Sequence, residues 1–70
     1  MMPLSMAAAG TAASVKKVGG REETKRFLES LGFVEGAAVT VVSEIGGNVI
    51  VNVKDSRVAI SRAMANKIMI

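Results

Sequence analysis

The chain has 70 residues with no cysteine and no histidine, which makes one small domain and excludes both a disulfide framework and the usual zinc-finger ligand sets. Its net charge is +3, but the nine Lys and Arg are spread from Lys16 to Lys67, so attraction to anionic partners is mild and unspecific. Half of the residues are hydrophobic, yet no uncharged apolar run reaches the ~18 residues that suggest a membrane span.

The opening MMPLSMAAAGTAAS has no basic residue ahead of its apolar stretch and is interrupted by Pro3 and Ser5, so it does not read as a secretory signal. Pro3 to Ala9 reads as an extended lead lying on the barrel, because proline is tolerated there only at an edge. Gly10-Thr11 marks a turn. Ala12 to Val18 then reads as one strand, with Val15 and Lys17 facing one way and Lys16 and Val18 the other. Alanine is a weak strand former, so this strand rests on the later strands' need for a partner.

Gly19-Gly20 breaks that strand, and Arg21 to Leu31 has helical period. Thr24, Phe27, Leu28 and Leu31 fall at i, i+3, i+4 and i+7, one stripe of an amphipathic helix. Glu22 and Glu23 sit in the first turn, where the helix dipole favours carboxylates, and Glu22/Arg26 and Lys25/Glu29 stand four residues apart. Gly32, directly after the last apolar residue, is expected at positive φ as the helix stop. The helix is expected to cover the sheet, with Phe27, Leu28 and Leu31 contributing ~1.5–3 kcal/mol each before entropy is subtracted.

Leu31 to Ile60 carries the sheet. The runs Val39-Thr40-Val41-Val42 and Val49-Ile50-Val51-Asn52-Val53 flank Ile45-Gly46-Gly47-Asn48, the pattern of a hairpin. In the second run Val49, Val51 and Val53 share one face, and Ile50, Asn52 and Lys54 share the other. Lys54-Asp55-Ser56 turns the chain again and Val58 and Ile60 resume the alternation, which completes a three-stranded antiparallel meander. Ser61 can cap a short helical turn through Ala65, and Lys67 to Ile70 can close the barrel as a last strand, so the two ends meet. The expected fold is mainly β over residues 1–70: a small five-stranded barrel with one covering α-helix and a short helical turn near the C-terminus.

An enzyme is not expected, since the remaining nucleophile candidates are scattered Ser, Thr and Lys; no catalytic, cofactor-binding or metal-ligating residue is assigned. Glu22 and Glu23 point ~100° apart on a helix and read as a solvated first turn. Gly19-Gly20 lacks the Gly-Lys-Ser/Thr ending of a phosphate loop, and Gly46-Gly47 sits in a hairpin. A basic nucleic-acid-binding barrel is the competing reading. Single-strand recognition, however, uses aromatic platforms, and with no Trp or Tyr and Phe27 on the core stripe only Phe33 is free. The same shortage argues against proline-rich peptide binding. The segment Phe33-Val34-Glu35-Gly36 sets two large apolar side chains in a loop. Phe33 is expected to plug the barrel end and Val34 to be the exposed member, with Arg21, Arg57 and Arg62 as a polar rim; these five are the candidate partner interface.

Taken in this order, Pro3-Leu4-Ser5, Leu31-Gly32-Phe33 with Gly36 and Val39, and the tail residues Ala59-Ile60, Ala65, Ile68 and Ile70 resemble the FeoA family of ferrous iron transport accessory proteins. The resemblance covers nearly the whole chain. Glu35 stands where many members have proline, and the hairpin at Gly46-Gly47 is shorter than usual. The family implies an Src-homology-3-like barrel and a regulatory, non-catalytic role in the cytoplasm beside FeoB, the membrane Fe(II) transporter with a GTP-binding domain. No soft-ligand iron site is visible, so any effect on iron should pass through protein contact. Neither a small-molecule substrate nor membrane insertion is expected, and homo-oligomerisation is left open.

Overall fold

In chain order the elements are a 3-10 turn at Leu4–Met6, β1 (Ala12–Ser14), β2 (Lys17–Val18), α1 (Glu22–Ser30), β3 (Ala38–Ile45), β4 (Asn48–Val53), β5 (Ser56–Ser61), α2 (Arg62–Ala65) and β6 (Ile68–Met69). The computed structural model describes all residues, Met1–Ile70.

Strands β3, β4 and β5 form the antiparallel meander that the alternation requires. Val39 stands opposite Val53, Val41 opposite Val51, and Val49 opposite Ile60, and all six side chains are buried. Gly46 and Gly47 make the first two-residue turn with φ of +55° and +81°, matching the twist of the strands it joins. The alternation is offset once, by a bulge between Val41 and Ser43 that the sequence pattern does not announce. The second turn is less well suited to its residues. Lys54 and Asp55 hold φ of 48° and 63°, a region that costs L-residues about 1–2 kcal/mol.

Ala12 to Val18 is not one strand. β1 pairs with β3, β2 pairs with β6, and the chain changes sheet between them. The hand-over is in the backbone: the Val15 N–H donates to the Ala37 carbonyl at 2.9 Å, and the Lys16 N–H to the Met69 carbonyl at 2.7 Å. Because the chain bends here, the expected two-residue alternation fails; Lys16 and Lys17 are both exposed, while Val15 is buried and Val18 half-buried. The result is six strands rather than five, as a four-stranded sheet in the order β1-β3-β4-β5 and a two-stranded sheet β2-β6. The barrel is also not closed, since α2 carries the chain from β5 to β6, which pairs with β2, and no pairing joins β5 to β6.

The two ends meet as expected. Met2 and Ile70 exchange both backbone hydrogen bonds, at 3.0 and 2.8 Å, and Pro3 bridges to Met69. The Ser5 hydroxyl donates to the Asn66 side-chain oxygen, and Leu4 and Ile68 drop into the core. Ser61 caps α2, its hydroxyl accepting from the Met64 N–H at 3.1 Å.

Helix α1 ends at Gly32, whose φ is +108°. The Phe33 N–H donates to the Leu28 carbonyl at 3.0 Å and the Gly32 N–H to the Glu29 carbonyl at 2.9 Å, a Schellman closure that satisfies two carbonyls at the helix end. Leu28 and Phe33, which such a closure brings together, are both fully buried. Phe27, expected in the core, is instead 48% exposed. A nine-residue helix rests on the sheet along one narrow line, here Leu28 with half-buried Thr24 and Leu31, and the largest core position is taken by Phe33. Of the two charge pairs, Glu22 and Arg26 approach to 3.9 Å in the open, whereas Lys25 and Glu29 form none.

Gly32→Ala is expected to cost ~1 kcal/mol or more, because the backbone position favours glycine and a Cβ would meet Lys54 Cδ at 3.2 Å and Val53 Cγ2 at 3.3 Å. Urea unfolding measures it. The double change Lys54→Asn with Asp55→Gly should raise stability by up to ~1 kcal/mol, since those residues suit a turn with two positive φ angles. A rise in the midpoint at constant slope is the expected result.

Candidate functional site

The loop after α1 is held at both ends by backbone bonds. The Gly36 N–H donates to the Val15 carbonyl at 2.8 Å and the Ala37 N–H to the Val34 carbonyl at 2.9 Å, which fastens the loop to the corner where the chain changes sheet. Gly36 takes φ of +87° and allows that return. Phe33 points inward and is fully buried, so it plugs the core and leaves the candidate surface. Val34 is half-buried and lines a cleft of about 260 Å³ with Lys17, Val18, Lys25, Glu29 and Glu35.

The three arginines do not ring this loop. Arg57 is exposed near the start of β5, where its Nε donates to Asn52 Oδ1 at 3.3 Å. Arg62 follows the other end of β5 and is paired with Glu44 through Nη1 at 2.5 Å. They stand five positions apart, roughly 16 Å at the usual strand rise. Arg21 is exposed at the N-cap of α1. The cations that do stand beside Val34 are Lys17 and Lys25, on the two elements joined by Gly19-Gly20. That turn is the one sequence signal that could have brought them together.

A second missed feature is Phe27, the exposed aromatic. Its neighbours one turn away on the helix, Glu23 and Ser30, supply no cation, so it does not form the basic and aromatic platform of a single-strand binder. For metals the donor set is poor. No three carboxylates come together, the chain has neither imidazole nor thiolate, and Glu22 and Glu44 are each engaged with an arginine.

The order of elements, the helix stop at Gly32 and the joined ends agree with one family, and the FeoA domain model matches residues 2–70. The chain belongs to the FeoA domain family. It is 36% identical over 70 residues to a Methanocaldococcus jannaschii protein described as a candidate Fe(2+) transport protein A, covering all of this chain and 85% of that one. It superimposes on the zinc complex of Stenotrophomonas maltophilia FeoA with a TM-score of 0.82 and 31% identity, covering 99% of this chain and 88% of that one. That protein is described as a prokaryotic SH3 domain and a candidate activating factor of ferrous iron transport. A crystal structure of an iron uptake regulatory protein, also FeoA, matches with a TM-score of 0.89 and 26% identity over 96% of this chain and 91% of that one. Membership of the FeoA family links the chain to ferrous iron transport, and the mainly β architecture is of the Src-homology-3 type.

Because this FeoA-family chain offers only separated carboxylates, anaerobic calorimetry of the monomer with Fe(II) is expected to give no binding at micromolar or tighter affinity. A micromolar isotherm would contradict that donor-set argument.

Proposed function

We propose that this chain is a cytoplasmic accessory protein of ferrous iron uptake that acts by contact with the FeoB membrane transporter and catalyses no reaction of its own. The observation that carries the reading is the FeoA domain match over residues 2–70. The description of the Stenotrophomonas maltophilia relative as a candidate activating factor points the same way. Val34 is the apolar centre of the docking face, standing on a loop that the backbone holds in place, and Lys17 and Lys25 form its polar rim. Arg57 and Arg62 lie outside that rim.

Pull-down of FeoB from membranes tests this. Val34→Asp should weaken association while leaving the melting temperature close to that of the parent, because Val34 is only half-buried. Phe33→Ala should instead lower stability by ~3 kcal/mol or more, as expected for the largest core side chain. Normal binding by Val34→Asp would place the docking face elsewhere. Retention of total RNA by the parent protein, with none of FeoB, would favour the nucleic-acid reading.

A further inference from the structure

Strand β5 ends the four-stranded sheet with one side unpaired. The direction of its free groups follows from one bond: the Arg62 N–H donates to the Gly47 carbonyl at 3.1 Å, so Ser56, Val58 and Ile60 turn their backbone groups to β4. Arg57 and Ala59 therefore turn theirs outward, as does the Ser61 N–H, whereas the Ser61 carbonyl, at the N-cap of α2, serves the helix. Natural sheet edges are guarded by lysine, proline, a bulge or a covering segment. β5 has no lysine, proline or bulge, and Arg57 is its single charge. β1, the other end of the sheet order, is only three residues long.

We infer that this edge pairs with the same edge of a second copy, antiparallel about a two-fold axis through Ala59. The occupant follows from the strand's own sequence, Ser-Arg-Val-Ala-Ile-Ser. With Ala59 opposite Ala59, the two alanines exchange both backbone bonds, and the Ser61 N–H of each copy reaches the Arg57 carbonyl of the other. On the outer face Arg57 stands opposite Ser61 of the second copy, a pairing without like charges. On the inner face half-buried Val58 stands beside Ile60 of the second copy and gains apolar cover. The two Arg57 side chains are then four strand residues apart, ~13 Å. Other registers are worse. A two-residue slip toward the Lys54-Asp55 turn makes the two arginines diagonal neighbours at ~7–8 Å, and a slip the other way runs into α2 at Arg62. A one-residue slip sets inner side chains against outer ones.

The full chain tests the pairing directly. Sedimentation at rising concentration should show the mass climbing from 7.3 kDa toward twice that value. Ala59→Pro removes an N–H that points to the free edge and none that points to β4, so it should weaken the dimer at least ~10-fold, the worth of the lost Ala59 bonds. Circular dichroism at low concentration should show the variant still folded. If it does not fold, cysteine cross-linking decides, and the absence of native cysteine makes each single variant an unambiguous reporter. Opposed Ala59 residues lie with Cα atoms ~5.5 Å apart, within disulfide reach, so Ala59→Cys should oxidise to a dimer much faster than Glu23→Cys on the exposed face of α1. An equal mixture of Arg57→Cys and Ser61→Cys should cross-link to each other in preference to themselves. A monomeric mass at every concentration, a folded Ala59→Pro variant that dimerises as the parent does, or an Ala59→Cys rate no greater than the Glu23→Cys rate would each overturn the inference.

Discussion

The side chain of Phe33 reaches the interior because the residue before it holds a φ of +108°. That single backbone turn organises the molecule. It stops α1, brings Phe33 against Leu28, and supplies the largest side chain of a core whose sheet residues are chiefly valines. In a chain this short, where roughly 60% of the unfolded surface is buried, that side chain is the largest single contribution to the core. The same turn decides what the next residue does. The Val34 N–H donates back to the Gly32 carbonyl at 2.9 Å, and this tight turn around Phe33 leaves Val34 lining the cleft between α1 and β2. The plug of the core and the centre of the proposed docking face are adjacent residues set by one glycine.

How legible the fold was depended on how strong each local constraint is. In β3 to β5 the period of two, a Gly-Gly turn and β-branched residues all agree, and the register follows from them except at the bulge between Val41 and Ser43. At Ala12 to Val18 they do not. Three small residues form β1, and the strand changes sheet at Val15-Lys16, where the partner is decided by long-range closure and not by the segment itself. Phe27 was misplaced for a different reason. Periodicity states which residues share a face of a helix, not how much of that face a small sheet can cover. The Gly32-Phe33 pair carried the better signal, because the residue after a Schellman glycine commonly packs back onto the helix, which predicts that Phe33 is buried against Leu28.

The candidate interface was legible only in part. That Phe33 is buried and Val34 less so follows from a glycine-bracketed loop, which restricts where two apolar neighbours can go. Which charges stand beside that loop does not follow, since exposed charges obey no period. Arg57 and Arg62 are close in sequence but sit at opposite ends of a strand, while Lys17 and Lys25, eight positions apart, meet across one turn. Nor does the pattern report that Arg62 is already engaged with Glu44.

The joined termini and the open edge have a common origin. The four-stranded sheet cannot close on itself, because α2 takes the chain away from β5 as soon as Ser61 caps it. Closure is achieved instead at the ends, where β6 pairs with β2, Met2 pairs with Ile70, and Ser5 is tied to Asn66. This brings Leu4, Ala65 and Ile68 into the core, so both ends of the chain contribute to its stability. It also leaves the outward backbone groups of Arg57 and Ala59, and the Ser61 N–H, without a partner strand. The capping serine that ends the strand thus has two effects: it directs the tail to the core, and it ends the free edge at Ser61.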